Sequence, residues 1–304
     1  MRVLILGAGA VGGYFGGRLV QAGRDVTFLV RERRARELAE NGLRIADPQG
    51  ETDRITVQVT TAGQAGAPFD VVVIAVKAFA LDSALDDLGA AVGPDTVLVP
   101  FLNGLRHIDV LRSRYGDRRT YGGVAFAATE LGPDGTIIQL NSIQSLSYGP
   151  ITQRADSQAS AVHEALSGGG FPSELSTTII HDMWEKWIFL AGVGAATTLM
   201  RGDLGQVNRA PGGGNVTAGL VEELVAIATA SGFPPRAAAL DRVQATMSDR
   251  RAPTTSSLYR DLLAGNRLEA EHIIGDLVRR AELLGLTVPL LQLVRTNLAV
   301  YEAA

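Results

Sequence analysis

The chain has 304 residues, a formal net charge of −4 at pH 7 and no cysteine. That length holds one large or two medium domains with a sizeable core, and the near-balanced charge makes neither nucleic acid nor an anionic membrane a natural partner. Lack of cysteine excludes disulfides, thiolate metal sites and a cysteine nucleophile, and fits a reducing compartment.

The first thirty residues organise the rest. Arg2–Leu6 is a short apolar run that suits a strand buried on both faces. Gly7-Ala8-Gly9-Ala10-Val11-Gly12 then gives G-x-G-x-x-G, Ala10–Ala22 reads as a helix ending at Gly23, and Asp25–Val30 reads as a second strand. In this βαβ setting Gly7 allows the tight turn and Gly9 lets a dinucleotide pyrophosphate approach the backbone. Gly12, with Gly13, Gly16 and Gly17, lets the helix lie close on the sheet. The phosphates would meet N–H groups at the positive end of the helix dipole. A glycine-rich turn without ligand is the alternative. The same glycines interrupt what could be mistaken for a signal peptide, and no apolar run approaches the ~18 residues of a membrane span. The expectation is a soluble, cytoplasmic protein.

Arg31 ends the second strand, where an NAD-specific domain usually carries an acid for the ribose hydroxyl. An arginine there suits a 2′-phosphate, so NADP(H) is expected. Arg33 and Arg34 add positive charge, whereas Glu32 and a solvated start to the helix at 32–41 weigh against it. A strand is read at Arg54–Thr60, then buried strands at Phe69–Val76 and Asp95–Leu102. Lys77 and Asn103 follow the carboxyl ends of the last two, where ligands of doubly wound sheets sit. The segment after Asn103-Gly104 reads as helical. Tyr121–Thr129 and Thr136–Tyr148 flank Gly132-Pro-Asp-Gly135 as an antiparallel hairpin that would close the sheet. A helix at about 155–167 and a short strand near 173–179 complete the first domain.

From His181 onward the pattern is helical. Asp182-Met-Trp-Glu185 reads as a capping box with Asp182 as N-cap, opening an all-round apolar and therefore buried helix. Of 28 basic residues only Lys77 and Lys186 are lysines. A chain so biased to arginine keeps lysine where a compact ammonium with a movable pKa is needed, unless the two are leftovers on the surface. Lys186 would lie in the first turn of the buried helix, where dipole and desolvation both lower its pKa, as a proton donor near neutral pH requires. Further helices are read at 215–231 and 235–247, then one opening at Pro253–Ser257 and a long one over 267–284. On the last, Glu269 shares a face with Ile273, Leu277 and Ala281, so its carboxylate needs a partner: Lys186, a substrate, or an ordinary buried ion pair. His107, His163, His181 and His272 show no ligand spacing and are read as structural or exposed, so no metal site is expected.

Together GAGAVGGYFGG, Arg31, VKAF with Lys77, LNG with Asn103, EKW with Lys186, and TTSSLYRDLLAGNRLEAEHIIGDL with Ser257 and Glu269 resemble the ketopantoate reductase (2-dehydropantoate 2-reductase) family over essentially the whole chain. The serine-to-glutamate spacing and the G-D-L-x-R-R-A that follows carry most of the resemblance. It implies an α/β fold, with a Rossmann-type doubly wound sheet (1–175) followed by an all-helical domain (176–304). The active cleft would lie between them, Lys77 and Asn103 on one wall and Lys186, Ser257 and Glu269 on the other. The implied activity is NADPH-dependent reduction of a 2-oxo acid, ketopantoate by default, which is a step of pantothenate biosynthesis. The implied roles are Lys186 as general acid, Glu269 orienting the substrate, Ser257 binding it, and Lys77 and Asn103 lining the nicotinamide and substrate crevice. A homodimer is compatible with this. Characterised members carry two asparagines after the catalytic lysine, and here those places hold Leu190 and Gly194. A reductase of a less polar 2-oxo acid is therefore the alternative, and a non-catalytic NADP-binding sensor a further one.

Overall fold

The computed structural model describes residues 1–152 and 157–303. In chain order its elements are β1 (Val3–Leu6), α1 (Ala10–Gln21), β2 (Val26–Leu29), α2 (Glu32–Asn41), β3 (Leu43–Ala46), β4 (Thr52–Ile55), β5 (Gln58–Thr60), β6 (Phe69–Ile74), α3 (Leu81–Asp87), β7 (Val92–Pro100), α4 (Arg106–Tyr115), β8 (Tyr121–Leu131), β9 (Ile137–Pro150), α5 (Ala159–Leu166) and β10 (Ser173–Leu175). Then come α6 (Ile179–Met200), α7 (Leu204–Arg209), α8 (Gly213–Ala230), α9 (Ala237–Ser248), α10 (Ser257–Leu263), a π-helical turn at Glu271–Gly275, α11 (Asp276–Leu283) and α12 (Pro289–Glu302). The first two residues of the helix read at 155–167 lie outside the described residues.

The chain forms two compact units: Met1–Leu102 with His107–Ile180, and Asn103–Arg106 with His181–Ala304. The division falls after Ile180 instead of 175, and the short Asn103–Arg106 segment belongs with the helical unit.

In the first unit a five-stranded parallel sheet has the order β5-β2-β1-β6-β7. Chain order reverses between β1 and β6, the switch point where such sheets bind ligands. Strand β1 is apolar on both faces because both are covered. Val3 and Ile5 join a core with Tyr14, Phe15 and Leu19 of α1, while Leu4 and Leu6 join one with Leu81, Leu85 and Leu111 of α3 and α4. Each such side chain contributes ~1.5–3 kcal/mol on burial.

The hairpin of β8 and β9 does not close this sheet. It pairs within a second, mixed sheet of order β10-β9-β3-β4, and the residue ahead of β8 forms an isolated parallel bridge to the first sheet, Leu98–Thr120. The strand expected at 54–60 is likewise two short pieces in different sheets, β4 antiparallel to β3 and β5 parallel to β2. Their shared core holds α1 between the sheets, which explains its four glycines. A Cβ at Gly12 or Gly16 would strike the parallel sheet, coming 2.7 Å from Ala75 Cβ or 2.6 Å from Phe28. One at Gly13 or Gly17 would strike the mixed sheet, at Ile137 or 2.7 Å from Leu43. Glycines four apart clear one side and their neighbours clear the other.

The second unit is helical, around a helix α6 that begins at Ile179, earlier than the sequence pattern suggests. Asp182 is therefore not its N-cap but an acid inside its first turn, where the dipole favours it. Asp182 and Glu185 instead grip Arg236: Glu185 accepts from the Arg236 backbone N–H at 2.9 Å and its Nε at 2.7 Å, and Asp182 pairs with the guanidinium. Glu185 thus caps the start of α9 rather than that of its own helix. The capping box of this unit is at α7, where Asp203 and Gln206 bond reciprocally. No helix of the described residues is long and apolar enough to cross a membrane.

Candidate active site

The first part of the site is a backbone cradle in the parallel sheet. Gly7 has φ +101°, and its absent side chain would meet Val76 Cγ1 at 3.0 Å and the Ala75 carbonyl at 3.1 Å, so the turn after β1 is pressed against the end of β6. Gly9 is the N-cap of α1 and offers no side chain to its N–H groups, and a Cβ there would meet nothing within 4 Å. Open space above a helix N-terminus, flanked by glycine, is the shape an anionic group needs. Residues Gly7 to Gly12, with Ala8, Ala10 and Val11 between them, fit a dinucleotide pyrophosphate.

Arg31 extends from the end of β2 as the N-cap of α2 and is exposed. Its two arginine neighbours are committed: Arg33 lies 3.8 Å from Glu37, and Arg34 bonds Glu37 at 3.3 Å and the Gly135 carbonyl at 3.1 Å. Among the described residues, the Arg31 guanidinium enters no ion pair or hydrogen bond. Lys77 is exposed three residues beyond β6, at the start of a short 3-10 turn over Ala78–Ala80, next in chain to the Ala75–Val76 pair that abuts Gly7.

The second part belongs to the helical unit. Lys186 is only 8% exposed in the interior of α6, two turns from its start and not in its first turn. Helix-dipole repulsion is accordingly weak there. Burial does the work, pushing the ammonium down to about 8, while the Glu269 carboxylate opposes it. Glu269 is not on a long helix. The helical run starts at Ala270, and Glu269 sits just ahead of it, its carbonyl accepting from His272 N at 3.1 Å and Ile273 N at 2.9 Å. The π turn breaks the steps of four that would have aligned Glu269 with Leu277 and Ala281. A single π turn inside a helix often marks a functional position.

Two residues that sequence reasoning passed over hold this arrangement. Trp187, beside Lys186, donates its buried indole N–H to the Ile273 carbonyl at 2.9 Å and so ties the π turn to α6. His272, read as structural or exposed, is half-buried against the Asn103-Gly104 turn. Its place three residues after Glu269 was the available signal. The other three histidines serve the scaffold: His163 meets Tyr148 Oη at 2.9 Å, His181 meets the Pro234 carbonyl at 2.7 Å, and His107 is fully buried.

Ser257 is the first residue of α10 and is exposed, whereas its neighbour Ser256 is the N-cap, accepting from Tyr259 N at 2.9 Å and lying 3.1 Å from Thr197 Oγ1. Leu190 is half-buried on α6, and the space over Gly194 is bounded by Leu258 at 3.5 Å from a Cβ built there. The helical unit thus brings together Asn103, His272, Glu269 and Lys186. Gly7–Gly12, Arg31 and Lys77 gather at the switch point of the sheet.

Comparison with known proteins agrees over the full length. Residues 3–153 match the family described as Ketopantoate reductase PanE/ApbA, and residues 178–302 match its C-terminal partner, Ketopantoate reductase PanE/ApbA C terminal. An uncharacterized oxidoreductase, YkpB of Bacillus subtilis, is 34% identical over 303 residues, covering 100% of this chain and 99% of its own. A 2-dehydropantoate 2-reductase of Halobacterium salinarum is 29% identical over 96% of each chain. Among solved structures, a D-mandelate dehydrogenase with NADH and anilino(oxo)acetate superposes with a TM-score of 0.89 over 100% of this chain and 99% of that one. At 19% identity that likeness speaks for the fold alone.

Proposed function

Because this chain belongs to the ketopantoate reductase family, whose relatives include oxidoreductases, we propose that it reduces a 2-oxo acid to the 2-hydroxy acid with NADPH, with Lys186 as general acid. The observation that carries this is the buried lysine, held near a working pKa of about 8 against Glu269. An ammonium costs stability when it is buried, and a nucleotide sensor has no use for one. Gly7–Gly12 receive the pyrophosphate, and Arg31 pairs with the 2′-phosphate. The bound nicotinamide supplies a hydride to C2 of the substrate. Lys186 then gives its proton to the oxygen that becomes the hydroxyl, within hydrogen-bond reach as general acid catalysis requires. Glu269 keeps Lys186 charged at neutral pH and orients the acid. Ser257, Asn103 and Lys77 bind the substrate or the nicotinamide end of the cofactor.

Ketopantoate is the default substrate, which would place the step in pantothenate biosynthesis. A second reading rests on Leu190, Gly194 and Leu258. A wall without amide groups cannot hydrogen-bond the substrate hydroxyl, and each such bond is worth ~1–3 kcal/mol of discrimination. A less polar 2-oxo acid, aromatic or branched, would then be preferred. NADPH oxidation with a panel of ketopantoate, its deoxy analogue, branched 2-oxo acids and an aryl 2-oxo acid decides. Ketopantoate alone gives the first reading, and the aryl or branched acids ahead of it give the second. Binding of NADPH without turnover of any acid gives the sensor.

A further inference from the structure

Gly104 has φ +79°, and a Cβ added to it would lie 3.0 Å from the His272 carbonyl oxygen, 3.2 Å from its ring Cδ2 and 3.4 Å from Nε2. The turn after β7 is therefore packed directly on the imidazole, with no room for a side chain. The ring is also hydrogen-bonded to the Asn103 backbone, in the sense that favours a protonated nitrogen, so the imidazole N–H donates and the carbonyl accepts. Three charged groups act on the same ring through space: the carboxylates of Glu269 and Asp276, and the guanidinium of Arg106. The backbone N–H of His272 donates to the Glu269 carbonyl, and the next carbonyl, that of Ile273, is pinned by Trp187. One residue in the π turn thus touches Asn103 with its ring and Glu269 with its backbone.

We propose that His272 is a positioning residue: its neutral imidazole fastens the Asn103-Gly104 turn to the helical unit and so fixes Asn103 relative to Glu269 and Lys186. The inference rests on the reductase reading for what Asn103 and Glu269 do, though not for the contact itself. Glu269 is shared between two bases, since it acts on both Lys186 and His272. Burial keeps His272 below its ordinary value, so at neutral pH the carboxylate faces one cation, Lys186. When pH falls and the imidazole charges, it competes with Lys186 for that carboxylate. Asp276 favours this protonation and Arg106 opposes it. An acidic limb in kcat follows, below the general-acid limb set by Lys186.

The test uses two probes. Proton NMR of the four histidines, with His272 assigned by its loss in His272→Gln, follows the ring without any turnover. In the native protein the His272 signal should titrate below ~6.5, and in Gly104→Ala, where the turn is pushed off the ring, it should move up towards that value, because burial outweighs the Asn103 hydrogen bond lost with it. A signal that does not move overturns the packing on which the inference stands. Kinetics then separate positioning from filling. His272→Leu should lower kcat/KM ~10–100-fold, because a misplacement of about 1 Å can cost that much. His272→Gln, which keeps an N–H donor, should recover most of it and lose the acidic limb. Equal losses in both variants, or an acidic limb that survives in His272→Gln, would overturn the positioning role. If the native protein turns over no 2-oxo acid, the reductase reading falls by itself and the NMR titration alone decides on His272.

Discussion

In the cradle between β1 and α1, what matters is the space left by absent side chains; around Lys186, what matters is the charge carried by buried ones. The cradle is closed to added atoms at Gly7 and Gly12, open at Gly9, and carries no titrating group. In the helical centre Lys186 and His272 both have protonation states shifted by burial and by one shared carboxylate. A nucleotide site can be made by subtraction, whereas a proton donor has to be made by placing a costly group and then compensating it.

The largest effect expected tests the second half of that contrast. Lys186→Arg keeps the positive charge, but a guanidinium does not release a proton, so kcat for 2-oxo-acid reduction should fall ~10²–10⁴-fold with the fold intact. The sign of the pH dependence follows from the direction of the shift. A donor must be protonated, so with Lys186 at about 8, kcat for reduction should fall as pH rises through that value and be level below it until the acidic limb set by His272 begins. Stability runs the other way. The folded-state value is depressed from 10.5, so the unfolded chain binds the proton more tightly, and stability should rise with pH between about 8 and 10.5. Lys186→Met should abolish turnover and also that rise, read as melting temperature against pH. A reduction rate that stays level through pH 8 and beyond would remove Lys186 from the donor's role.

Next in size is a pair of changes within the cradle. A Cβ on Gly12 would collide with the Gly7 carbonyl and sit 2.7 Å from Ala75, so Gly12→Ala should destabilise the protein without cofactor by ~1–3 kcal/mol or more. A Cβ on Gly9 meets nothing within 4 Å, so Gly9→Ala should lose no more than the ~1 kcal/mol of a poorer N-cap. NADPH affinity should nevertheless fall, by roughly the 1–3 kcal/mol of one crowding methyl. Thermal melts paired with cofactor titration separate the two. If Gly9→Ala binds NADPH as the native chain does, the pyrophosphate does not approach there.

The same contrast explains what could be read from the sequence. The G-x-G-x-x-G turn and its flanking strands were legible because a backbone site needs particular residues at fixed spacing, and α1 indeed runs Ala10–Gln21. That its glycines face two sheets was not legible, since Leu43–Ala46 is too short and mixed to announce a strand, and β9 pairs with it across about ninety residues. In the helical unit local signals misled. Asp182-Met-Trp-Glu185 has the spacing of a capping box, but Ile179 and Ile180 extend α6 ahead of it and its acids are claimed by Arg236 from the next helix pair. The steps of four that put Glu269 inside a helix presume α geometry, and the π turn at Glu271–Gly275 adds a residue to the count. Glu269 still acts on Lys186, one of the partners open to it, because charge and burial survive a shift of one helical turn.

An effect of similar size concerns Arg31, which the proposed reading pairs with the 2′-phosphate. Arg31→Ala should weaken NADPH binding by the ~1.5–3 kcal/mol of a charge-assisted pair and leave NADH nearly unchanged. Arg34→Ala should act differently, since Arg34 is spent on Glu37 and the Gly135 carbonyl and its loss loosens the hairpin instead. Equal affinity of the native protein for the two cofactors would show that nothing here reads the 2′-phosphate.

The smallest effect distinguishes the two accounts of how α6 begins. Were Asp182 an N-cap, serine in its place would cap as well and Asp182→Ser would be nearly neutral, whereas Asp182→Ala would cost ~1 kcal/mol. Inside the first turn with its carboxylate on Arg236, Asp182 has no capping role to keep, and serine and alanine should cost alike. The Arg236 side chain is 51% exposed and that of Asp182 20%, so the pair sits in water on one side and should be worth ~0.2–1 kcal/mol, less at high salt. Glu185, only 11% exposed, keeps its own grip on Arg236 and limits the loss further. The cycle is closed with Arg236→Ala. In that background the cost of Asp182→Ser should shrink to what the helix dipole contributes, because the guanidinium it served is gone. If instead alanine proved clearly worse than serine at position 182, whatever stood at 236, the helix would start at Asp182 after all, and Lys186 would return to a first turn where the dipole as well as burial holds its pKa down.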